Sequence, residues 1–223
     1  MEFDIELYPF PPIEDVSEEG IIAVGGDLSP GRLISAYSRG IFPWFSDDEP
    51  IIWWSPDPRF VLFPEKLKVS KSMKTLFNKN AFRVTFDTSF QEVIKACSIA
   101  PRKEQDGTWI TNDMVEAYCE LHRLGYAHSV EVWKGEDLVG GLYGVSLGTS
   151  FFGESMFSKV SNASKYGFIK LVDRLVEINF ELIDCQVFTE HLKSLGAEEV
   201  ERSEFLDLLE STLKKESWIG NWE

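Results

Sequence analysis

The chain has 223 residues, of which 43% are hydrophobic and 26% charged, and its net charge at pH 7 is −15. This composition is typical of a globular protein and excludes a disordered chain, a collagen-like repeat and a coiled coil. No apolar stretch approaches the roughly 18 residues that a membrane span needs, and the first residues lack the pattern of a signal peptide. We therefore expect a soluble, cytoplasmic protein with one large domain or two smaller ones.

The cysteines and histidines show no metal-binding or disulfide pattern. Cys97, Cys119 and Cys185 lack C-x-x-C spacing, and the three histidines form no H-E-x-x-H pair. We expect the cysteines to be small core residues, and we expect no metal and no cofactor.

Positive charge is concentrated in one segment of an otherwise acidic chain. Residues 65–83 contain six basic residues and one acidic residue, so this segment carries +5 and the remainder carries −20. The total charge argues against unspecific binding of nucleic acid over the whole surface. The segment itself allows two interpretations, a solvated helix face or a docking patch for a polyanion.

The predicted elements begin with a short helix. Ser29 is a typical N-cap, Pro30 suits the first helical position, Tyr37 lies on an apolar face, and Gly40 ends the turn. Residues 42–63 follow with seven aromatic residues and four prolines. Because prolines at this density disfavour helices and central strands, we expect rigid loops here. Their aromatic side chains either form a flat binding surface or fill a small core.

Beyond residue 80 the pattern predicts alternating strands and helices. A strand is expected near residues 82–87 and a helix near 88–98, with Thr88 and Gln91 in capping-box positions. A helix from about Asn112 to Leu124 precedes three strands, the first two joined by a turn at residues 134–137. The remainder predicts a long helix, a strand, a short helix, a strand and a final helix, which together indicate an α+β fold.

Three polar residues interrupt apolar strands and therefore need partners or a role. Glu154 lies within residues 151–157, and the period of two in residues 182–187 places Asp184 and Gln186 on one face, opposite Ile183 and Cys185. One interpretation is a polar sheet edge. The other is a cluster of two carboxylates and an amide that binds a cation or a primary amine.

A match to the G-x-S-x-G motif of α/β-hydrolases occurs around Ser146, and Asp184 and His191 follow in the order of a triad. A nucleophile elbow needs a strand, a turn and then a helix. Because another strand is predicted after Ser146, the pattern disfavours a serine hydrolase.

Nine sequence blocks between about residues 8 and 200 share the order and spacing of a known family. They are GGDLSPGRLISAYSRGIFPWF, WWSPDPR, GTWIT, AHSVEVW, LVGGLYG, GESMFS, ASK, LIDCQV and HLKSLGA. Together they resemble the leucyl/phenylalanyl-tRNA-protein transferases. The resemblance implies an α+β fold with a small N-terminal α/β domain (residues 1–62) and a C-terminal domain like the Gcn5-related N-acetyltransferases (residues 63–223).

The resemblance also implies a reaction. Enzymes of this family move Leu or Phe, and less readily Met, from aminoacyl-tRNA to the N-terminal Arg or Lys of acceptor proteins and so mark them for degradation. By residue matching, Gln186 would orient the attacking amine, Asp184 would polarise the Gln186 amide, and Glu154 would attract the cationic acceptor.

Residue matching further implies the binding residues for the donor. The aminoacyl pocket would consist of Leu142, Met156, Phe168, Leu171, Leu175 and Ile183. The tRNA 3′ adenosine would contact Trp44, Trp109 and Phe151, and the tRNA backbone would contact Lys71, Lys74, Lys79 and Arg83. The chain departs from the family at Leu171 and Leu175, where aromatic rings are expected, and at Thr75 and Asn78, where more basic residues are expected.

Two other classes of protein fit the sequence less well. An acyl-CoA-dependent acetyltransferase would need a glycine-rich turn before the long helix to hold pyrophosphate, and residues 157–163 contain no glycine. A non-catalytic RNA-binding module would explain the basic segment. It would leave Glu154, Asp184 and Gln186 without a purpose.

Overall fold

The structure, a computed structural model, describes residues 3–100 and 110–222. Near the N-terminus, three strands form an antiparallel sheet: β1 (Ile21–Val24), β2 (Phe42–Pro43) and β3 (Ile52–Trp54), with β3 in the middle. Helix α1 (Pro30–Ser38) lies between β1 and β2 in the chain, with Ser29 at its N-cap position. Gly40, with a φ of 70°, follows the helix. The helix predicted from the Ser-Pro start and the glycine stop is therefore confirmed.

Seven strands form a second, mixed sheet. They are β4 (Arg59–Leu62), β5 (Arg83–Phe86), β6 (Ala127–Lys134), β7 (Asp137–Leu147), β8 (Ser150–Ser158), β9 (Leu182–Gln186) and β10 (Glu198–Val200). Their order is β10-β4-β9-β8-β7-β6-β5, and all neighbours are antiparallel except β8 and β9, which are parallel. The predicted meander with its turn between β6 and β7 is confirmed.

The described residues contain six further α-helices: α2 (Lys71–Asn78), α3 (Phe90–Ser98), α4 (Asn112–Arg123), α5 (Ala163–Glu177), α6 (Glu190–Ser194) and α7 (Arg202–Leu213). This arrangement confirms the α+β prediction. The capping box predicted for α3 is wrong, because the N-cap is Ser89 and the Thr88 hydroxyl donates to Glu131 Oε2 at 2.9 Å. The Glu131 side chain is buried, and its carboxylate needs such donors.

The loops predicted for residues 42–63 are partly strands, so that prediction is wrong. β3 is the central strand of the small sheet, and β4 lies between β10 and β9 in the large one. Pro50, Pro56 and Pro58 fall between the strands, where they remove no ladder hydrogen bond. Pro43 lies in β2 at an edge of the small sheet, which is where a strand tolerates proline.

Two clusters of buried side chains make up most of the core. The first joins the small sheet and α1 to α3 and α4, and it contains both Tyr37 and Tyr118. The second joins α5 to the middle of the large sheet and contains Leu142, Phe168 and Ile183. Among the described residues, no helix is long and apolar enough to cross a membrane.

Candidate active site

A cleft of about 800 Å³ opens beside β8 and β9. Residues 42–44, the start of α5 and the start of α6 complete its walls. Several predicted donor-binding residues line it, namely Trp44, Leu142, Phe151, Met156, Phe168 and Ile183. Glu154 and Gln186 also line it, so the structure brings an apolar wall and two polar groups together in one cleft.

Glu154 is held in a cage of hydrogen-bond donors. Its Oε1 accepts from the Tyr37 hydroxyl at 2.7 Å and from Gln186 Nε2 at 2.7 Å, and its Oε2 accepts from the Tyr118 hydroxyl at 3.0 Å. The two phenol oxygens also contact each other. Burial raises the pKa of both phenols well above their ordinary value, so both remain protonated donors.

Burial also raises the pKa of Glu154 from 4.5 to about 7, against the opposing effect of the three hydrogen bonds. Between pH 4.5 and about 7, the folded protein therefore keeps the Glu154 proton, whereas the unfolded chain loses it. The stability that this proton contributes is present at low pH and is lost as the pH rises through about 7. At about 1.4 kcal/mol for each pH unit, the loss is about 3 kcal/mol.

Glu154→Gln should remove this pH dependence, because a neutral amide has no proton to lose in this range. We expect the unfolding free energy of the wild type to fall, relative to the variant, by about 3 kcal/mol between about pH 5 and about pH 8. Urea denaturation of both proteins at each pH measures the difference. Parallel pH profiles would show that Glu154 is already ionised at the lower pH.

Gln186 occupies a strained turn at the end of β9. Its φ is 64°, and the Val187 N–H donates to the Cys185 carbonyl at 2.8 Å across it. A positive φ is costly for a residue with a side chain, and it persists only where neighbouring contacts enforce it. The side-chain N–H₂ is bonded to Glu154, which leaves the amide carbonyl oxygen as the acceptor for another group.

The prediction that Asp184 and Gln186 share a face is wrong, because the turn breaks the period of two. Ile183 and Cys185 line the cleft together with Gln186, whereas the Asp184 side chain is fully buried outside the cleft lining. The interpretation as a polar sheet edge is also wrong, because β9 lies between β4 and β8. Asp184 instead accepts two hydrogen bonds from Arg59, at 2.8 and 2.6 Å.

Asp184 contacts the main chain of Gln186. Its Oδ1 accepts from the Gln186 backbone N–H at 2.9 Å, while the Gln186 amide group is bonded to Glu154. The geometry suits a carboxylate that holds the turn in place. The Asp184 carboxylate therefore contacts the backbone of Gln186 and not the side-chain amide, which it was expected to polarise.

The structure separates some of the predicted donor residues from the cleft. Leu171 and Leu175 are fully buried in the second core cluster and do not line the cleft, because they follow Phe168 deeper along α5. Trp109 lies outside the described residues.

The four basic residues predicted to contact the tRNA backbone are exposed: Lys71, Lys74, Lys79 and Arg83. Lys71 and Lys74 lie on α2, and Lys79 follows at its end. α2 packs on α5 through Phe77 and Tyr166, whose ring centroids are 4.1 Å apart. The first turns of α5 therefore contact α2 through Tyr166 and line the cleft through Ser164 and Phe168.

Sequence reasoning missed Tyr37, Tyr118 and Arg59 as contributors to the site. The sequence pattern puts Tyr37 on the apolar face of its helix, and a buried phenol usually needs a partner for its hydroxyl. This need for a buried partner is the feature of the sequence that points to Tyr37. Arg59 lies within the apolar and proline-rich residues 42–63, where a buried guanidinium needs a carboxylate partner.

Ser146 lies inside strand β7 and is buried, and a further strand follows it, so the rejection of a nucleophile elbow is confirmed. Its hydroxyl is 3.1 Å from Nε2 of His128 and does not contact His191. Within residues 3–100 and 110–222, no cluster of three or more His, Cys, Asp or Glu side chains could hold a metal ion.

Comparisons with known proteins assign the chain to a family. The family model described as Leucyl/phenylalanyl-tRNA protein transferase matches residues 61–210, and the model of its N-terminal domain matches residues 26–57. The chain belongs to this family. The resemblance seen in the nine blocks is confirmed, and with it the prediction that the chain is a leucyl/phenylalanyl-tRNA-protein transferase.

Curated proteins named leucyl/phenylalanyl-tRNA–protein transferase align along almost their whole length. The protein of Flavobacterium johnsoniae is 57% identical over 202 residues, covering 91% of this chain and 95% of its own. That of Syntrophus aciditrophicus is 55% identical, covering 96% of this chain and 89% of its own. That of Pseudomonas fluorescens is 59% identical, covering 90% of this chain and 89% of its own.

A solved structure from Staphylococcus epidermidis, of a conserved protein of unknown function, shows a weak likeness to this transferase. Its TM-score is 0.45 at 9% identity, and the match covers 81% of this chain and 68% of that one.

Proposed function

We propose that the protein transfers Leu or Phe, and less readily Met, from aminoacyl-tRNA to the N-terminal Arg or Lys of acceptor proteins. Family membership supports aminoacyl transfer from tRNA to a protein. The proposed donor and acceptor are supported mainly by the Glu154–Gln186 hydrogen bond of 2.7 Å, which lies beside an apolar wall in one cleft. The product would be a protein with a new N-terminal residue, marked for degradation.

The chemistry is aminolysis of an ester. The α-amine nitrogen of the acceptor bonds to the aminoacyl carbonyl carbon, and the bond from this carbon to the ribose oxygen breaks. An α-amine has an ordinary pKa near 8, so a useful fraction is neutral at pH 7 and no strong base is required. The Gln186 carbonyl accepts a hydrogen bond from this amine and aims its lone pair. The amine proton leaves as the ribose oxygen takes one up.

Glu154 supplies the negative charge that attracts the acceptor. With a pKa of about 7, its carboxyl is partly ionised near neutrality. An approaching cation stabilises the carboxylate further, so acceptor binding and ionisation of Glu154 promote each other. The net charge of −15 also draws basic chain ends toward the protein.

The donor would lie with its side chain against Leu142, Met156, Phe168 and Ile183, all in the apolar wall. Leu or Phe suits this wall because neither brings a polar group that would need a partner. Trp44 would stack on the terminal adenine, a contact that contributes about 1–3 kcal/mol in single-stranded binding. The exposed basic residues near α2 would contact phosphates.

We also propose that the chain divides into an N-terminal domain, residues 1–62, and a catalytic domain like the Gcn5-related acetyltransferases, residues 63–223. The two family models that match on either side of residues 58–60 support this division. The antiparallel β6–β8 meander, followed by α5 and the parallel strand β9, supports the fold assignment. Strand β4, at residues 59–62, pairs within the large sheet, so the chain passes from one proposed domain into the other at this strand.

The proposed function is tested with charged Leu-tRNA and two peptides. A peptide that begins with Arg should yield a Leu-Arg-peptide, detected by its mass. The same peptide with an acetylated N-terminus should yield none, because its nitrogen has no lone pair free to attack. Equal reaction of both peptides, or of neither, would contradict aminolysis by an N-terminal amine.

The basic residues on α2 should set the salt dependence of tRNA binding. Each phosphate contact adds about 0.7–0.9 to the slope of log K against log salt. Lys71→Gln with Lys74→Gln should therefore lower this slope by about 1.5 in a filter-binding titration. Lys214→Gln, which removes an exposed lysine paired with Glu210, is the control and should leave the slope unchanged. An unaltered slope in the double variant would place the docking surface elsewhere.

A further inference from the structure

The C-terminal segment, residues 214–222, follows α7 and is fastened across the body of the protein. The Gly148 N–H donates to Ser217 Oγ at 2.7 Å, and the Gly220 N–H donates to the Gly125 carbonyl at 3.1 Å. Gly125 has no room for a side chain, since a Cβ there would lie 2.5 Å from Gly220 N. The segment lies beyond residue 210, where the match to the family model ends.

The segment places the Trp222 ring inside the protein. Trp222 is 2% exposed, and its backbone N–H donates to Asp87 Oδ2 at 2.9 Å. Its ring stacks on the His128 ring with 3.7 Å between centroids and 10° between planes. His128 is fixed in turn by Asp87 Oδ2 at 2.8 Å and by the Ser146 hydroxyl at 3.1 Å. The position of the indole is therefore determined on one side by a fixed imidazole.

On another side, Trp222 contacts the wall of the cleft. Its ring centroid is 5.9 Å from that of Phe151 and 5.8 Å from that of Phe180. Phe151, which residue matching assigns to the terminal adenosine, lines the cleft and pairs across β8 and β9 with Ile183 of the proposed donor pocket. A shift of Phe151 is therefore transmitted to that pocket. Trp222 also belongs to the buried cluster that includes Leu142, Phe168 and Ile183, which line the cleft as well. The indole thus lies directly behind the apolar wall.

We propose that Trp222 is a specificity-determining residue, which sets the depth of the pocket for the donor side chain by supporting Phe151 from behind. The proposal rests on the proposed function, since it concerns the choice between Leu and Phe. Interiors are closely packed, so a volume change behind a wall is transmitted to it. Removing the indole would leave a cavity into which Phe151 can move. A deeper pocket would then favour the larger donor.

The test compares kcat/KM for Phe-tRNA and Leu-tRNA with the Arg peptide. Trp222→Ala should raise the Phe-to-Leu ratio about 10-fold, within the range that one altered apolar contact gives. Trp222→Phe, which keeps a ring, should give an intermediate ratio. Trp218→Ala is the matched control: Trp218 lies on the same segment but is 45% exposed, so its ratio should equal that of the wild type.

A rescue experiment separates a change in pocket shape from a general loss of structure. An apolar cavity binds small aromatic molecules, so indole at millimolar concentration should return the ratio of Trp222→Ala toward the wild-type value. If Trp222→Ala does not fold, the ratios of Trp222→Phe and Trp222→Leu decide in its place. Equal losses for both donors, or a ratio that stays within twofold of the wild type in every folded variant, would overturn the proposal. A wild type that transfers neither residue would instead refute the proposed function.

Discussion

Gln186→Ala is expected to lower kcat for transfer by about 100-fold or more while leaving the Kd for the aminoacyl-tRNA donor within about threefold. The amide carbonyl is the group that can aim the lone pair of the amine. Its position depends on two contacts, the Nε2 hydrogen bond to Glu154 at 2.7 Å and the turn with a φ of 64°. Alanine removes the carbonyl and leaves the apolar wall unchanged.

Gln186→Asn is the matched variant, because it keeps the amide and shortens the side chain by one methylene. It cannot reach Glu154 and the amine together, so we expect a loss in kcat close to that of alanine. Single-turnover rates at saturating donor, with the donor Kd measured separately, distinguish a loss of orientation from a loss of affinity. A defect confined to the donor Kd in both variants would contradict the orienting role.

The parts of the fold that were predicted correctly rest on local signals. Helix α1 has a Ser-Pro start and a glycine stop, and the β6–β8 meander has alternation and a tight turn. The chain segment around β4 carried no such signal. Its strand character comes from pairing with β9 and β10, which lie more than 120 residues later, and short-range pattern does not report contacts of that separation.

In the candidate site, too, local signals predict some residues, and contacts between distant parts of the chain determine the others. One of the two interpretations of the sequence groups Glu154 with Asp184 and Gln186, and the structure joins Glu154 to Gln186 by a hydrogen bond of 2.7 Å. Their two tyrosine neighbours come from α1 and α4, 117 and 36 residues away from Glu154. The prediction that Asp184 and Gln186 share a face assumes a regular strand. The positive φ at Gln186 redirects the side chains, and an irregular turn of this kind has no sequence period.

Arg59→Met is expected to lower the unfolding free energy by about 3–5 kcal/mol, because it leaves Asp184 as a buried charge without its partner. The guanidinium lies over the rings of Phe42 and Phe205, each at 4.7 Å, and both side chains of the ion pair are at most 1% exposed. Methionine keeps most of the apolar body of arginine. The loss should therefore come mainly from the carboxylate, and urea denaturation measures it.

Lys66→Met is the control, since it breaks an ion pair with Glu198 in which both side chains are more than 40% exposed. An exposed pair contributes about 0–1 kcal/mol, so this variant should unfold almost as the wild type does. A loss in Arg59→Met no larger than that of the control would show that Asp184 is solvated or protonated when Arg59 is absent.

The double variant Arg59→Met with Asp184→Leu separates stability from catalysis. Removing both charges should restore much of the stability lost in the single variant, because a buried ion pair contributes little net free energy relative to apolar residues. The Gln186 backbone N–H would still lack the acceptor that Asp184 Oδ1 provides at 2.9 Å. We therefore expect a folded protein with slow transfer and near-normal donor affinity. Recovery of the transfer rate along with stability would show that the turn at Gln186 holds its position without Asp184.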